Sequence, residues 1–400
     1  MNPKKFLFSF CALLIFASCT EKEKAPERKK LYIKNTLGID RNFETVAVAI
    51  DSLDLVETAS KEGNLVVIED ASGKQLISQV IDSNGDGKDD TLLFQPDIKA
   101  EAEMAFTVSQ SDSVVQGPEY EIARCYSRFV PERTDDYAWE NNRVAFRTYG
   151  PTAQQMAEDG VKGGTLSSGI DAWLKRVEYP IIDKWYKKEL ETDGSYHEDT
   201  GEGLDNYHVG TSRGVGGIAI KGEDSYYISK NFVSWKTLYN GPIRTSFVLT
   251  YANWDAAGNQ ISEKKHISLD YGSNLSKFEI DIEGTDTISA GLTLHENEGI
   301  TQVNEEEGWI SYWEPHEGSE LGTGIVVPNG NMAGYDKYET EEKDLSNLFA
   351  HVALNEGGKA VYYTGFAWKK SGQFETQAEW EAYLSAFAEK LKNPLTIEVR

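Results

Sequence analysis

The chain has 400 residues, 40% of them hydrophobic and 11% aromatic, enough to bury a large core in one domain or two. Its formal charge of -25 excludes the net basic field that recruits nucleic acid, yet leaves room for an anionic ligand held by a local basic cluster. The 9 tryptophans and 20 tyrosines suit sugar-stacking surfaces and β-sheet cores alike.

The N-terminus reads as a targeting signal. Lys4 and Lys5 precede an apolar run from Phe6 to Phe16, and Phe16-Ala17-Ser18-Cys19 closes it with small residues before a cysteine. The run is short for a membrane span. The pattern predicts a bacterial lipoprotein signal over 1–18, with Cys19 lipidated and the mature chain anchored at a membrane facing the periplasm or the cell surface. A charged tether over 19–30 follows. Cys11 is then removed and Cys19 used, so Cys125 remains alone and no intramolecular disulfide is expected.

From 31 to about 115, short runs rich in Val and Ile (Phe43 to Ile50, Asn64 to Glu69, Glu101 to Ser109) alternate with polar turns, as in an antiparallel β-module. Between two such runs lie Asp82, Asn84 and Asp86 at i, i+2, i+4, then Gly87 and Asp90. That spacing suits a hard cation such as a structural calcium ion. An EF-hand would need Glu where Leu93 stands, so a metal-free Asx hairpin turn competes with the calcium reading.

The remainder, 116–400, carries the second unit. Trp139 to Tyr149 reads as one strand, with Val144, Phe146 and Thr148 on one face and Arg143, Arg147 and Tyr149 on the other. A Gly/Ser-rich loop from Gly160 to Gly169 precedes a segment that Pro180 breaks. Between Glu140 and Glu189 eight Lys/Arg face seven Asp/Glu, a balance of about +1 within an acidic chain and a place to look for an anion site. Further strands are expected at Ser225 to Val233, Ile243 to Tyr251, His266 to Asp270, Lys277 to Ile282, Ile288 to His295, Gly308 to Pro315, Gly324 to Val327, Ala350 to Leu354 and Ala360 to Phe366. Thr376-Gln-Ala-Glu379 is a capping box, followed by Trp380, Tyr383, Leu384, Phe387 and Leu391 at helical spacing. Leu395 to Val399 reads as an edge strand. The fold class is mainly β: a large antiparallel β-sandwich with few helices, one of them near the C-terminus.

Chemistry-bearing residues concentrate at Ser195 to Gly217. This run holds His197 and His208, Tyr196, Tyr207, Arg213, four acids and six glycines. Reactive groups favour such loops over rigid scaffolds. If Tyr207 to Arg213 is extended, Tyr207 and Arg213 share a face and His208 lies opposite; an irregular loop would restore His208. A transition-metal site from His197, His208, Glu202 and Asp205 competes, although the spacing fits no established zinc pattern.

At Arg147-Thr-Tyr-Gly-Pro, Gly169-Ile-Asp-Ala-Trp, Lys184-Trp-Tyr, Tyr196-His197, Gly201-Glu-Gly-Leu-Asp205-x-Tyr207 and Gly241-Pro-Ile-Arg244, the chain resembles a bacterial domain family of polysaccharide-utilisation systems. The characterised member of that family is an ulvan oligosaccharide dehydratase. The resemblance covers nearly the whole mature chain, including the Asp-rich loop. It implies a mutarotase-like β-sandwich. It also implies a carbon–oxygen lyase that eliminates water from the non-reducing-end glucuronic or iduronic acid of sulfated, uronic-acid oligosaccharides. The product would be a 4,5-unsaturated uronyl residue for a downstream unsaturated-uronyl hydrolase, with no organic cofactor.

Such chemistry needs the substrate carboxylate neutralised, a base at C5 and an acid at the C4 hydroxyl. Arginine is the natural carboxylate clamp and His or Tyr the natural acid and base. On this reasoning His197, Tyr207, Arg213 and Tyr149 are the candidate catalytic residues. Arg147, Lys175, Lys184, Trp185, Arg244 and His295 are candidates to bind substrate. A polysaccharide lyase and a non-catalytic glycan-binding lipoprotein are the alternative readings.

Overall fold

The computed structural model of the chain describes residues 29–55, 58–59, 65–111, 113–114, 124–328, 330–342 and 344–400. The signal sequence, Cys19 and most of the tether lie outside these residues. Among the described residues no helix is long and apolar enough to cross a membrane.

The architecture is the expected antiparallel β-sandwich. A nine-stranded sheet runs from the edge strand Phe232–Tyr239 through Arg244–Tyr251, Asn259–Asp270, Leu275–Glu283, Lys359–Trp368, Ser319–Val326 and Trp309–His316 to Ile300–Asn304, with Trp254–Ala256 paired to Asn259–Asp270. A five-stranded sheet (Tyr226–Tyr227, Val215–Lys221, Thr287–Thr293, Asn347–Ala353, Met332–Tyr338) packs against it. Alternation puts Ile218, Ile288, Ala290 and Leu292 of the smaller sheet into one apolar cluster with Phe247, Ile267, Phe278 and Ile280 of the larger.

A third sheet carries the candidate site. Its order is Gly203–Leu204, Asp171–Lys175, Ala145–Thr148, Asp136–Glu140, Tyr126–Val130. Tyr137, Trp139, Phe146, Ala172 and Leu174 point into the sandwich core. The alternate residues Ala138, Ala145 and Trp173 point the other way, beneath helix α2 (Ile182–Glu191), which covers them with Ile182, Trp185 and Tyr186. The expected single strand from Trp139 to Tyr149 is two strands. Asn141 makes the break: its side-chain oxygen accepts the amides of Arg143 and Val144, and its nitrogen donates to the Asp270 and Ser273 carbonyls. Arg143 therefore sits in a turn, while Arg147 and Tyr149 stay on one side of the second strand.

Helix α1 (Pro151–Glu158) starts on a proline, which needs no amide partner at the first helical position. Helix α3 (Gln377–Lys392) follows the predicted cap: Thr376 Oγ1 accepts the Glu379 amide at 3.2 Å. Trp380 and Leu384 are fully buried. They lie against strand Ser319–Val326, where Gly322 and Gly324 leave room that a Cβ would fill.

The N-terminal strands have their own core around Leu31, Ile68, Phe94 and Phe106. The last strand, Thr396–Val399, is the edge of that module's four-stranded sheet, pairing antiparallel with Lys29–Lys34. The two ends of the described chain are thus joined in one sheet.

Candidate functional site

Arg147 and Asp171 are direct cross-strand partners, and Arg147 also stands opposite Ala138 on the strand that carries Asp136. Period-2 alternation places all three charged side chains on the face under α2. Arg147 Nε and Nη2 donate to Asp171 Oδ2 at 2.9 and 2.6 Å, Nη2 also to Asp205 Oδ2 at 2.8 Å, and Nη1 to the Tyr196 hydroxyl at 3.1 Å. Asp136 Oδ2 is 3.6 Å from Nη1. The Tyr149 hydroxyl lies 3.4 Å from Asp171 Oδ2.

Three buried carboxylates thus crowd the Arg147 guanidinium, with the Arg133 charge also favouring ionisation of Asp136 and Asp205. Their charges cannot all be compensated, so the cluster holds on to protons. Burial, then the charge of Asp205, pushes Asp171 up to about 7 despite Arg147. Burial likewise raises Asp136 to about 6, and it raises Asp205. Tyr149 is pushed well above the ordinary phenol value by burial and by Asp171, which keeps its hydroxyl protonated. Burial works against the charge on Arg147, but Asp205 and Asp171 outweigh it. Among the described residues Asp171 Oδ1 and Asp136 Oδ1 are buried without a hydrogen-bond partner.

The facing wall is the run from Asp205 to Arg213. It is irregular, turning at Gly210 and Gly214, both at positive φ. At Gly214 a Cβ would overlap the Ile170 carbonyl, because the loop is tied to the sheet by Ile170 N–H to Arg213 O and Val215 N–H to Ile170 O. His197 is half exposed, and its Nδ1 lies 2.5 Å from the Asp205 carbonyl oxygen. A carbonyl only accepts, so Nδ1 carries the hydrogen and a neutral ring keeps the Nε2 lone pair free. His208, restored by the irregular loop, reaches Asp344 with Nε2 at 3.0 Å. Together Arg147, Tyr149, His197, Asp205, Tyr207 and His208 line a cleft of about 670 Å³.

Tyr207 is almost fully buried in this wall, and burial raises its hydroxyl well above the ordinary phenol value. Behind it, His295 donates from Nδ1 to Glu314 (2.6 Å) and from Nε2 to the His208 carbonyl (2.9 Å), with its ring packed edge-to-face on Tyr207, centroids 4.7 Å apart. Burial disfavours its charge, but the bond and charge of Glu314 prevail and raise its pKa. With both nitrogens donating, His295 supports the wall instead of presenting a group to substrate.

Five further candidates stand elsewhere. Arg213 is turned inward, fully buried, donating to Ser168 Oγ and to the Thr211 and Ile218 carbonyls. The turn at Gly210, which lies between them, breaks the alternation that paired it with Tyr207. Lys175 is buried in an ion pair with Glu140 at 2.7 Å, and Glu140 also accepts the first amides of α2. Lys184 pairs with Glu202 from α2, and Trp185 packs beneath that helix with its Nε1 3.3 Å from Glu202. These contacts occupy Glu202 away from His197 and His208. Arg244 is held by Asp270 in a two-pronged pair, in a different cavity from the cleft.

The Asp-rich loop satisfies itself. Asp82 accepts the amides of Gly85, Asp86 and Gly87, Asn84 accepts Asp86, Asp86 accepts Lys88, and Asp90 accepts Ser83. Among the described residues no group of three or more His, Cys, Asp or Glu is gathered as metal ligands. In this arrangement the Asp82, Asn84, Asp86 and Asp90 side chains make the hydrogen bonds of an Asx-type hairpin turn.

Sequence reasoning missed Asp136, Asp171, Tyr196 and Asp344. Asp171 had a local signal, an acid inside the apolar strand Ile170 to Leu174, where a buried carboxylate demands a partner. Asp136 had a similar one beside Tyr137-Ala-Trp139. Asp344 had none, since it reaches His208 across 136 positions of sequence.

Among solved structures, the fold resembles a glycosyl hydrolase family 38 protein from Enterococcus faecalis, with TM-score 0.50 and 11% identity. The match takes in 93% of this chain but 47% of that one, so the chain spans about half the length of its structural neighbour. An α-mannosidase of the same organism gives TM-score 0.46 at 11% identity, over 93% of this chain and 46% of its own. A protein of Formosa agariphila, named Uncharacterized protein P7, is 51% identical over 395 residues, 98% of each chain. Residues 33–397 match the family described as "Domain of unknown function (DUF4861)", and the chain belongs to that family.

Proposed function

We propose that this protein is a carbon–oxygen lyase that removes water from the terminal uronic acid of ulvan-type sulfated oligosaccharides, leaving a 4,5-unsaturated uronyl residue for a downstream unsaturated-uronyl hydrolase. One observation carries the reading. The cleft presents an imidazole with a free Nε2 on His197 and an un-ionised phenol on Tyr149, beside a carboxyl cluster that stores a proton. In this reading His197 takes the C5 proton. Tyr149 protonates the departing C4 hydroxyl and is reprotonated from Asp171. The C5–H and C4–O bonds break, the ring double bond forms, and water leaves. The proton gained by His197 passes to solvent, from which Asp171 is recharged.

Arg147 acts here as a fixed charge. Its four hydrogen bonds leave one of five N–H groups, too few for a two-pronged grip on a substrate carboxylate. An anionic sugar can still approach, because protons retained by the aspartates reduce the negative charge beneath the cleft. We place the enzyme at a membrane through lipid on Cys19; loss of detergent-phase partitioning in Cys19→Ser is the expected result, and unchanged partitioning counts against the anchor.

The test of function is mass spectrometry of a saturated uronyl-rhamnose-sulfate oligosaccharide before and after incubation. The expected product is lighter by one water, absorbs in the ultraviolet and keeps its number of sugars. Shorter unsaturated products would instead mark a polysaccharide lyase. Neither change, with binding that survives His197→Ala, would mark a glycan-binding protein.

A further inference from the structure

A second cavity, of about 290 Å³, lies where the N-terminal module, the large sheet and the end of α3 meet. It stands at the small end of ligand pockets, which run to roughly 300–1,000 Å³, so it has room for one ring. Phe43, Tyr363, Tyr383 and Phe387 supply an aromatic lining, with Tyr363 and Tyr383 centred 5.1 and 6.0 Å from Phe387. Phe43 is held at φ 57, a left-handed conformation that a bulky residue adopts at a cost of about 1–2 kcal/mol, yet its side chain stays 48% exposed. The Gln95 amide fixes that backbone by donating to the Phe43 and Tyr271 carbonyls, both at 2.9 Å. Strain that holds an apolar ring in solvent points to a partner for the ring.

The polar groups of the cavity agree. Lys390 reaches it from the last turns of α3, partly buried, and makes no ion pair or hydrogen bond with the described residues. Burial lowers its pKa, with the Glu44 charge working the other way. Glu44 binds Arg41 through one oxygen, while its other oxygen is buried with no hydrogen-bond partner among the described residues. The charged lining residues are Arg244, Lys277 and Lys390 against Glu44 and Asp270, a surplus of one cation by that count, in a chain of net charge -25.

We infer that this junction cavity is a second binding site, separate from the cleft, for a single acidic sugar unit. The anionic group meets Lys390, and the C–H face of the ring lies on Phe43 and Phe387. The site holds the ligand without reacting with it.

Calorimetric titration of the full chain with glucuronate tests this, using the cleft variant His197→Ala with Tyr149→Phe to silence the first site. The cleft variant is expected to retain saturable binding. Adding Lys390→Met, which keeps the aliphatic stem, is expected to weaken it about tenfold, the loss of one charge-assisted hydrogen bond. Phe43→Ala weakens it as well, and glucose binds more weakly than glucuronate. Lys390→Met alone leaves turnover at the cleft unchanged. No binding by the cleft variant, or affinity indifferent to Lys390→Met in protein with an unchanged thermal midpoint, overturns the proposal.

Discussion

At the scale of single residues, Asp171 separates a proton store from a mere ion-pair partner. Its folded-state pKa of about 7 lies above the ordinary 3.8, so between those values the folded protein binds more protons than the unfolded chain. Stability from this group is therefore full below pH 4 and lost as pH rises towards 7. Asp171→Asn should flatten that part of a plot of urea midpoint against pH, leaving the slope from Asp136 and Asp205. The same variant should remove the fall in turnover expected above pH 7. Tyr149→Phe should reduce kcat by about 10²–10⁴ with folding intact, as steady-state rates and far-UV dichroism would show. Arg213 predicts the opposite pattern. Two of its three hydrogen bonds run to buried acceptors, so Arg213→Ala should cost about 3 kcal/mol of stability with KM unchanged. A raised KM at unchanged stability would return it to the role of substrate clamp.

At the scale of elements, local patterns were legible wherever local physics decides. The capping box located α3 to within a residue, and the cap itself can be weighed: Thr376→Ala removes the acceptor for the Glu379 amide and should cost about 1 kcal/mol, measured by denaturant unfolding. Alternation found sandwich strands such as Arg244–Tyr251, Leu275–Glu283 and Lys359–Trp368, but the expected strand Ser225 to Val233 is two strands in different sheets, and Val215–Lys221 and Met332–Tyr338 were not foreseen. It failed where a turn intervenes. Asn141 splits one expected strand into two, and Gly210 with Gly214 turns the candidate loop so that His208 faces the cleft and Arg213 faces the core. Helix α2 was hidden because its amphipathic face covers a sheet face that is itself partly charged, and Glu140 serves its first turn from 41 positions away.

Across the whole molecule, the C-terminal strand closes the N-terminal sheet, and Arg41 donates to the Asn393 carbonyl close by. Removing residues 396–400 should expose the strand Lys29–Lys34 as an edge and loosen the N-terminal core before the sandwich melts. Hydrogen exchange would show this as lost protection at Leu31, Ile33 and Phe106, with the core around Phe247 and Phe278 unaffected. Equal loss in both cores would mean that the two unfold as one.

The amino-acid sequence by itself determined the periodic features: β-strands from period-2 alternation, the capped C-terminal helix, and a titratable loop above a rigid scaffold. These depend on neighbours a few residues away, which the chain specifies directly. Only the tertiary structure decided which charges compensate one another. Arg147 is claimed by acids 24 and 58 positions further on, and Lys175 is neutralised by Glu140 beneath α2. The cost of burying an unpaired charge is settled by whatever side chain the fold brings within about 4 Å, and no local pattern carries that information.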